Sequence, residues 1–188
     1  MKMKLLSLGL AAFMVAGAIK AQKVNADVEA TTIKWTGKKV VGTHYGNIKL
    51  QEGMLHLNNG NITGGTFVID MTSITNTDIE NSDYNTKLVG HLKSDDFFGV
   101  ATYPTANLEI IEAGSFINDK AEVKAKLIIK GQSKPIAFTV EKKDTKYITT
   151  LVIDRTNYGV HYGSGSFFDN LGDNAIDNEF TLEVSLVI

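Results

Sequence analysis

The sequence predicts an all-β fold of about eight short antiparallel strands, built as a sandwich or a closed barrel. Three observations point there. Apolar and polar residues alternate with a period of two along most of the chain. Turn residues separate the alternating runs at hairpin spacing. Composition favours strands, with many Thr, Val and Ile and only two prolines.

The first strand is expected over about 28–39, where Ile33 and Trp35 share a face, and the second over about 45–57. Asn58-Asn59-Gly60-Asn61 turns the chain into a third, at about 62–72. A fourth, at about 103–113, is closed by Glu112-Ala113-Gly114 and Asn118-Asp119. The fifth, at about 120–130, shows the alternation most clearly. Val123, Ala125, Leu127 and Ile129 fall on one face, with Glu122, Lys124 and Lys126 on the other. After Gly131-Gln132-Ser133, Ile136, Phe138 and Val140 mark a sixth strand at about 134–142. Lys143-Asp144-Thr145 leads to a seventh at about 146–154. Phe180, Leu182, Val184, Leu186 and Ile188 mark the last, at about 177–188. The one long interruption is Asn81 to Phe98. There Ser82 or Asp83 caps a short helix through Leu92, and Ser94-Asp95-Asp96 starts a turn before Phe97 and Phe98. It reads either as a lid or as a crossover that closes one end.

The first residues read as a secretory signal. Lys2 and Lys4 precede an apolar stretch from Leu5 to Val15 and then small residues, with cleavage expected after Ala21 and Ala18 as the alternative. The apolar run is shorter than the roughly 20 residues of a bilayer span. This leaves residues 22–188 as a single domain, expected in the periplasm or secreted. An outer-membrane barrel is disfavoured. Its apolar faces point outward, which would crowd the Lys and Glu faces into an eight-stranded interior with little room. The apolar faces are therefore expected to point inward, giving a soluble barrel. A net charge of −2 with interspersed signs supplies no footprint for nucleic acid. The absence of cysteine removes disulfides and thiolate metal sites.

Little in the sequence suggests chemistry. None of His44, His56, His91 and His161 has metal-ligand spacing to another, and Gly163-Ser164-Gly165-Ser166 lacks the strand-to-helix context of a nucleophile. No metal or cofactor is expected. Arg155 is the only arginine. It is read either as half of a buried pair with a carboxylate at a barrel corner, or as a fork holding a ligand's head group.

Collinear segments resemble the YceI-like family. The central one is Gly90-His91-Leu92-Lys93-Ser94-Asp95-Asp96-Phe97-Phe98, followed by Tyr103-Pro104-Thr105. Upstream stand Trp35, His44-Tyr45-Gly46 and Gly64-Gly65-Thr66-Phe67-Val68-Ile69-Asp70-Met71. Downstream stand Leu127 to Ile136 and Asp154-Arg155-Thr156-Asn157-Tyr158-Gly159-Val160. The departures are Gly99, where relatives often carry Asp, and Ser133, where Thr is usual.

The resemblance implies a soluble eight-stranded antiparallel lipocalin-like β-barrel with a short helical insertion near residues 82–98. It also implies a cavity for a long isoprenoid, isoprenoid quinone, fatty-acyl or other amphiphilic lipid, and a homodimer is an expectation from related barrels. The ligand-binding residues expected are Trp35, Phe67, Ile69, Met71, Phe97, Phe98, Leu127, Phe138, Phe180 and Leu182, with Met71 adaptable to a flexible tail. His44, His91, Arg155 and Tyr158, which fall in the matching segments, join them. Two readings stay open beside a carrier. One is an enzyme on such a lipid using His91, Asp95 and Arg155; the other is a barrel filled by its own side chains, serving protein interaction.

Overall fold

The computed structural model describes residues 21–188, so the expected signal segment lies outside the described residues except for Ala21. Among the described residues nine strands form: β1 (Gln22–Asn25), β2 (Thr32–Lys39), β3 (Gly42–Asn58), β4 (Asn61–Asp70), β5 (Thr105–Ala113), β6 (Lys120–Ile129), β7 (Gln132–Lys143), β8 (Lys146–Asp154) and β9 (Ile176–Val187), with one α-helix, α1 (Ser82–Lys93), and three short 3-10 turns. Strands β2 to β9 pair antiparallel in sequence order, and β9 returns to β2, closing an eight-membered barrel. The ninth strand leaves the ring size unchanged. It lies along the same edge of β3 as β2, with Gln22 opposite Leu57, while β2 takes Gly42 to Ile48. The first ring strand starts at Thr32 rather than near residue 28 because Asp27 caps a turn. Its carboxylate accepts from the amides of Glu29 and Ala30, and its carbonyl accepts from Thr31.

Period-two patterning fixes which face is inside. On β6, Ala121, Val123, Ala125, Leu127 and Ile129 are buried. Lys124 and Lys126 lie outside, pairing with Glu112 and Glu109 of β5 at 3.0 Å each. Such exposed pairs add little stability, but they show that the outer wall is charged and the apolar face turns inward. Lys130 and Gly131, both with positive φ (50° and 72°), make the two-residue β6–β7 turn, one position earlier than the sequence suggested. No helix of the described residues is long and apolar enough to cross a membrane.

The segment from Met71 to Pro104 folds over one end of the barrel, the crossover end. The turn at Val40–Val41 and the long β8–β9 connection lie at this end too. Beyond Asp70, the chain runs along the part of β3 that β4 does not reach, with Thr75 and Thr77 donating to the carbonyls of Asn47 and Tyr45. Gly46 permits this close approach: a β-carbon there would lie 1.9 Å from the Thr75 oxygen. Helix α1 is capped by Asn81, not Ser82 or Asp83; the Asn81 side chain accepts from the amides of Asp83 and Tyr84. Ser94 ends the helix, its amide and hydroxyl both donating to the His91 carbonyl. The following turn through Gly99 (φ 56°) places Phe97, only 6% exposed, inside the barrel end. The insertion is thus a crossover that closes the end with a packed ring.

Candidate functional site

Inside the barrel is a cavity of about 200 Å³, lined by side chains from all eight ring strands. At roughly 10–15 Å³ per water, that is room for a dozen or more solvent-sized groups, far beyond a packing defect. Its hollowness shows in exposure. Phe67, Ile69, Leu108, Phe138, Phe180, Leu182 and Val184 line the cavity, yet are only half-buried, because no side chain fills the space they face.

Eleven of the fourteen residues expected from sequence line this space: Trp35, Phe67, Ile69, Met71, Phe97, Phe98, Leu127, Phe138, Arg155, Phe180 and Leu182. Between them stand aliphatic residues not expected as ligand contacts, among them Leu50, Ile62, Ala106, Leu108, Ile110 and Leu151, with Ile33, Val140 and Leu186 known from sequence only as apolar-face residues. Their only signal was the alternation itself. Trp35 is anchored across the cavity end, its indole N–H donating to the Thr75 carbonyl at 2.8 Å.

His44, His91 and Tyr158 do not line the cavity. His44 Nδ1 lies 2.8 Å from a carboxylate oxygen of Asp78 on the barrel rim. Burial alone would push the Asp78 carboxyl up, but hydrogen bonds from the Tyr45 amide, His44 and Asn76 outweigh it and hold it below its ordinary value. The pair clasps the crossover to β3. His91 packs between the rings of Tyr162 and Phe97, with centroids at 4.5 and 5.0 Å, and its Nε2 is buried without a hydrogen-bond partner among the described residues. Tyr158 is buried in the turn after β8, and that burial pushes its phenol above the ordinary value, so it stays protonated.

At the crossover end the cavity is bordered by Arg155, whose polar atoms are turned to backbone. Arg155 is 3% exposed. The expected pair with a carboxylate does not form; its guanidinium instead donates to four backbone carbonyls. Nε reaches Asp177 at 3.0 Å, one Nη reaches Val160 at 2.8 Å and Tyr162 at 2.9 Å, and the other reaches Ile176 at 3.0 Å. A carboxylate pairs with one segment only, whereas these bonds tie together both ends of the β8–β9 connection. Burial lowers the guanidinium's proton affinity, and the nearby charges of Asp154 and Asp177 oppose that. The guanidinium carbon sits 5.7 Å from the centre of the Phe97 ring. Asp154 itself caps the turn, accepting from the amide and hydroxyl of Thr156. Ser164, fully buried, donates to Asn178 at 2.6 Å and is structural. Among the described residues no three His, Asp or Glu side chains converge as a metal site would require. What the arrangement offers is an almost wholly apolar surface for an apolar chain.

The comparisons with known proteins agree with this architecture. No curated protein matches the sequence. The barrel superposes on BcnA of Burkholderia cenocepacia with a TM-score of 0.69 at 20% identity, covering 87% of this chain and 99% of that one. It also superposes on a polyisoprenoid binding domain from Saccharophagus degradans, implicated in plant cell wall breakdown (TM-score 0.58, 18% identity, 89% and 97% covered). A YCEI protein of Campylobacter jejuni gives a TM-score of 0.50 at 16% identity, with 98% and 90% covered. At such identities the likeness establishes the fold. The sequence profile of the YceI-like domain matches residues 24–188, nearly the whole barrel with the cavity and its closing crossover, and the chain belongs to the YceI-like family.

Proposed function

We propose that this protein is an exported lipid carrier that holds a long apolar chain of isoprenoid, isoprenoid-quinone or fatty-acyl type inside its barrel and releases it unchanged. The observation that carries this reading is the hollow, apolar interior. A space of this size left between core side chains forgoes packing they would make with one another, which a ligand's apolar chain would supply. Affinity for a tail comes from area removed from water, at about 25 cal/mol per Å². Membership of the YceI-like family and the likeness to a polyisoprenoid binding domain support the ligand class. The signal-like segment at Lys2 to Ala21 supports export to the periplasm or beyond.

The test is to purify the protein from its native host, extract it with organic solvent and identify what is released by mass spectrometry. An intact long-chain lipid, lost when Ala106→Trp fills the interior, is the expected result. Ligand-free protein that also fails to take up added isoprenoid or acyl chains overturns the reading, and a chemically altered product favours an enzyme.

A further inference from the structure

The turn between β2 and β3 breaks a rule that the other two-residue hairpins among the described residues keep. Lys39 pairs with Gly42, so Val40 and Val41 alone make the turn. Such turns favour residues that adopt positive φ. Asn59-Gly60 and Lys130-Gly131 do so at both positions, and Asp144-Thr145 at the first. Neither valine does, and β-branched side chains are poor turn residues. Both valines are also exposed, at 66% and 58%. Folding does not call for two apolar residues at a solvent-facing tip, and local conflicts of this kind concentrate at functional sites.

A second exposed apolar pair belongs to the β8–β9 connection: Phe167 and Phe168, at 51% and 52%. Their amides donate to the Ser164 carbonyl at 3.1 and 3.0 Å, and buried Ser164 is tied to Asn178, so the turn that presents the rings is fixed. Backbone bonds link the two pairs. The Val40 amide donates to the Ala175 carbonyl at 3.2 Å, and the Ile176 amide to that of Gly163 at 2.8 Å. Tyr162, exposed in the same connection, packs its ring 5.8 Å from that of Phe97, which closes the barrel end.

Exposed apolar groups gathered at one end of a protein mark a protein or membrane contact. The charges beside them narrow the choice. Lys38 and Lys39 flank the valines, and Asp169 and Asp173 follow the phenylalanines, two of each sign. This favours neither an anionic nor a cationic surface. A zwitterionic head-group layer carries both signs too, and it deforms around projecting tips where a protein partner would need a matching hollow. A long apolar chain dissolves poorly in water, so a carrier collects it from a membrane rather than from solution.

We propose that the crossover end docks on the surface of a lipid bilayer, with Val40, Val41, Phe167 and Phe168 inserted among the head groups. The choice of a bilayer rests on the lipid-carrier reading, and it adds the place where the ligand is met.

Delipidated protein produced in its native host is floated with phosphatidylcholine vesicles. The variant carrying Val40→Ser, Val41→Ser, Phe167→Ser and Phe168→Ser is expected to partition at least about tenfold more weakly. Partition of the unaltered protein should change less than about twofold between roughly 0.05 and 0.5 M salt. In a separate variant, Phe168→Trp, the added emission should be quenched by vesicles with brominated acyl chains, and this decides the matter if the fourfold variant does not fold. Equal partition of the fourfold variant overturns the docking inference, as does binding that salt abolishes or an unquenched indole. So does a patch that drives self-association in solution with no binding to vesicles. Uptake of geranylgeraniol added from ethanol, without vesicles, reads the carrier function by itself and should be equal in the unaltered and fourfold-substituted proteins. If neither takes it up, the carrier reading falls, whereas docking is judged on the vesicles alone.

Discussion

Replacing Arg155 with methionine keeps much of the side chain's length and removes every donor. Four carbonyls then lose their partner. The Val160 oxygen is in a fully buried bond, and leaving it unsatisfied costs about 1–3 kcal/mol. Those of Tyr162, Ile176 and Asp177 are part-buried, so water replaces the lost donor incompletely. Each of these contributes about 0.5–1.5 kcal/mol. Removing a desolvated charge offsets part of the loss, but not all of it, since the orphaned acceptors remain. The expected destabilisation is therefore about 3–5 kcal/mol, or a fall in Tm of roughly 6–20 °C at about 2–4 °C per kcal/mol for a chain of this size. Urea unfolding of delipidated protein, followed by far-UV circular dichroism, measures it free of any ligand effect. Arg155→Lys restores the charge but not the planar span, and should recover less than half of the loss. A loss below about 1 kcal/mol in the methionine variant would refute the role given to the four bonds.

Three further outcomes follow from the packing. Gly46→Ala puts a methyl carbon where the Thr75 carbonyl now lies, so Tm should fall by the equivalent of about 1–3 kcal/mol and Trp35 emission should shift as its bond to that carbonyl breaks; an unchanged spectrum counts against this. Phe97→Ala should cost about 3–5 kcal/mol by thermal denaturation, and Phe98→Ala clearly less because Phe98 is half-buried; the reverse order would place the closing ring wrongly. The Asp78 carboxyl is held below its ordinary value of 3.8, so its contribution is present above that pH and lost as pH falls through the lower folded-state value. Below about pH 3.8 the Thr75 and Thr77 amides should lose protection from hydrogen exchange beyond the intrinsic trend, and Asp78→Asn should abolish that extra loss.

The strand pattern was legible because a half-buried strand repeats every two residues, and β6 shows this almost without exception. β1 was not, because Gln22-Lys23-Val24-Asn25 presents a single apolar side chain and is held only by the far half of β3. The helix cap fell to Asn81, one residue before the expected Ser82, a shift that cap preferences alone do not resolve. Arg155 was recognisable as unusual, but its carbonyl partners belong to backbone that only folding brings near. His44 and Asp78 are 34 residues apart, beyond any spacing rule. The cavity wall was readable in the aromatic residues, but not that side chains leave a space between them, since a filled core draws on the same residues.

The wall of this barrel is not uniformly stitched. β6 and β7 are paired from Lys120–Glu141 to Ile129–Gln132, whereas β7 and β8 pair only from Glu141–Ile148 to Lys143–Lys146. Toward the crossover end these two strands diverge, and the turn holding Arg155 and Tyr158 packs against β7 instead. Parting any other pair of neighbours would break a run of backbone hydrogen bonds, each worth about 0.5–1.5 kcal/mol. Across this seam the backbone ladder gives way to the Thr149 hydroxyl donating to the Thr139 carbonyl and to the packing of the turn against β7. The barrel's stiffness is therefore directional: hoop-like over most of its circumference, compliant along one line. A guest bulkier than the resting cavity is accommodated most cheaply by strain along that line.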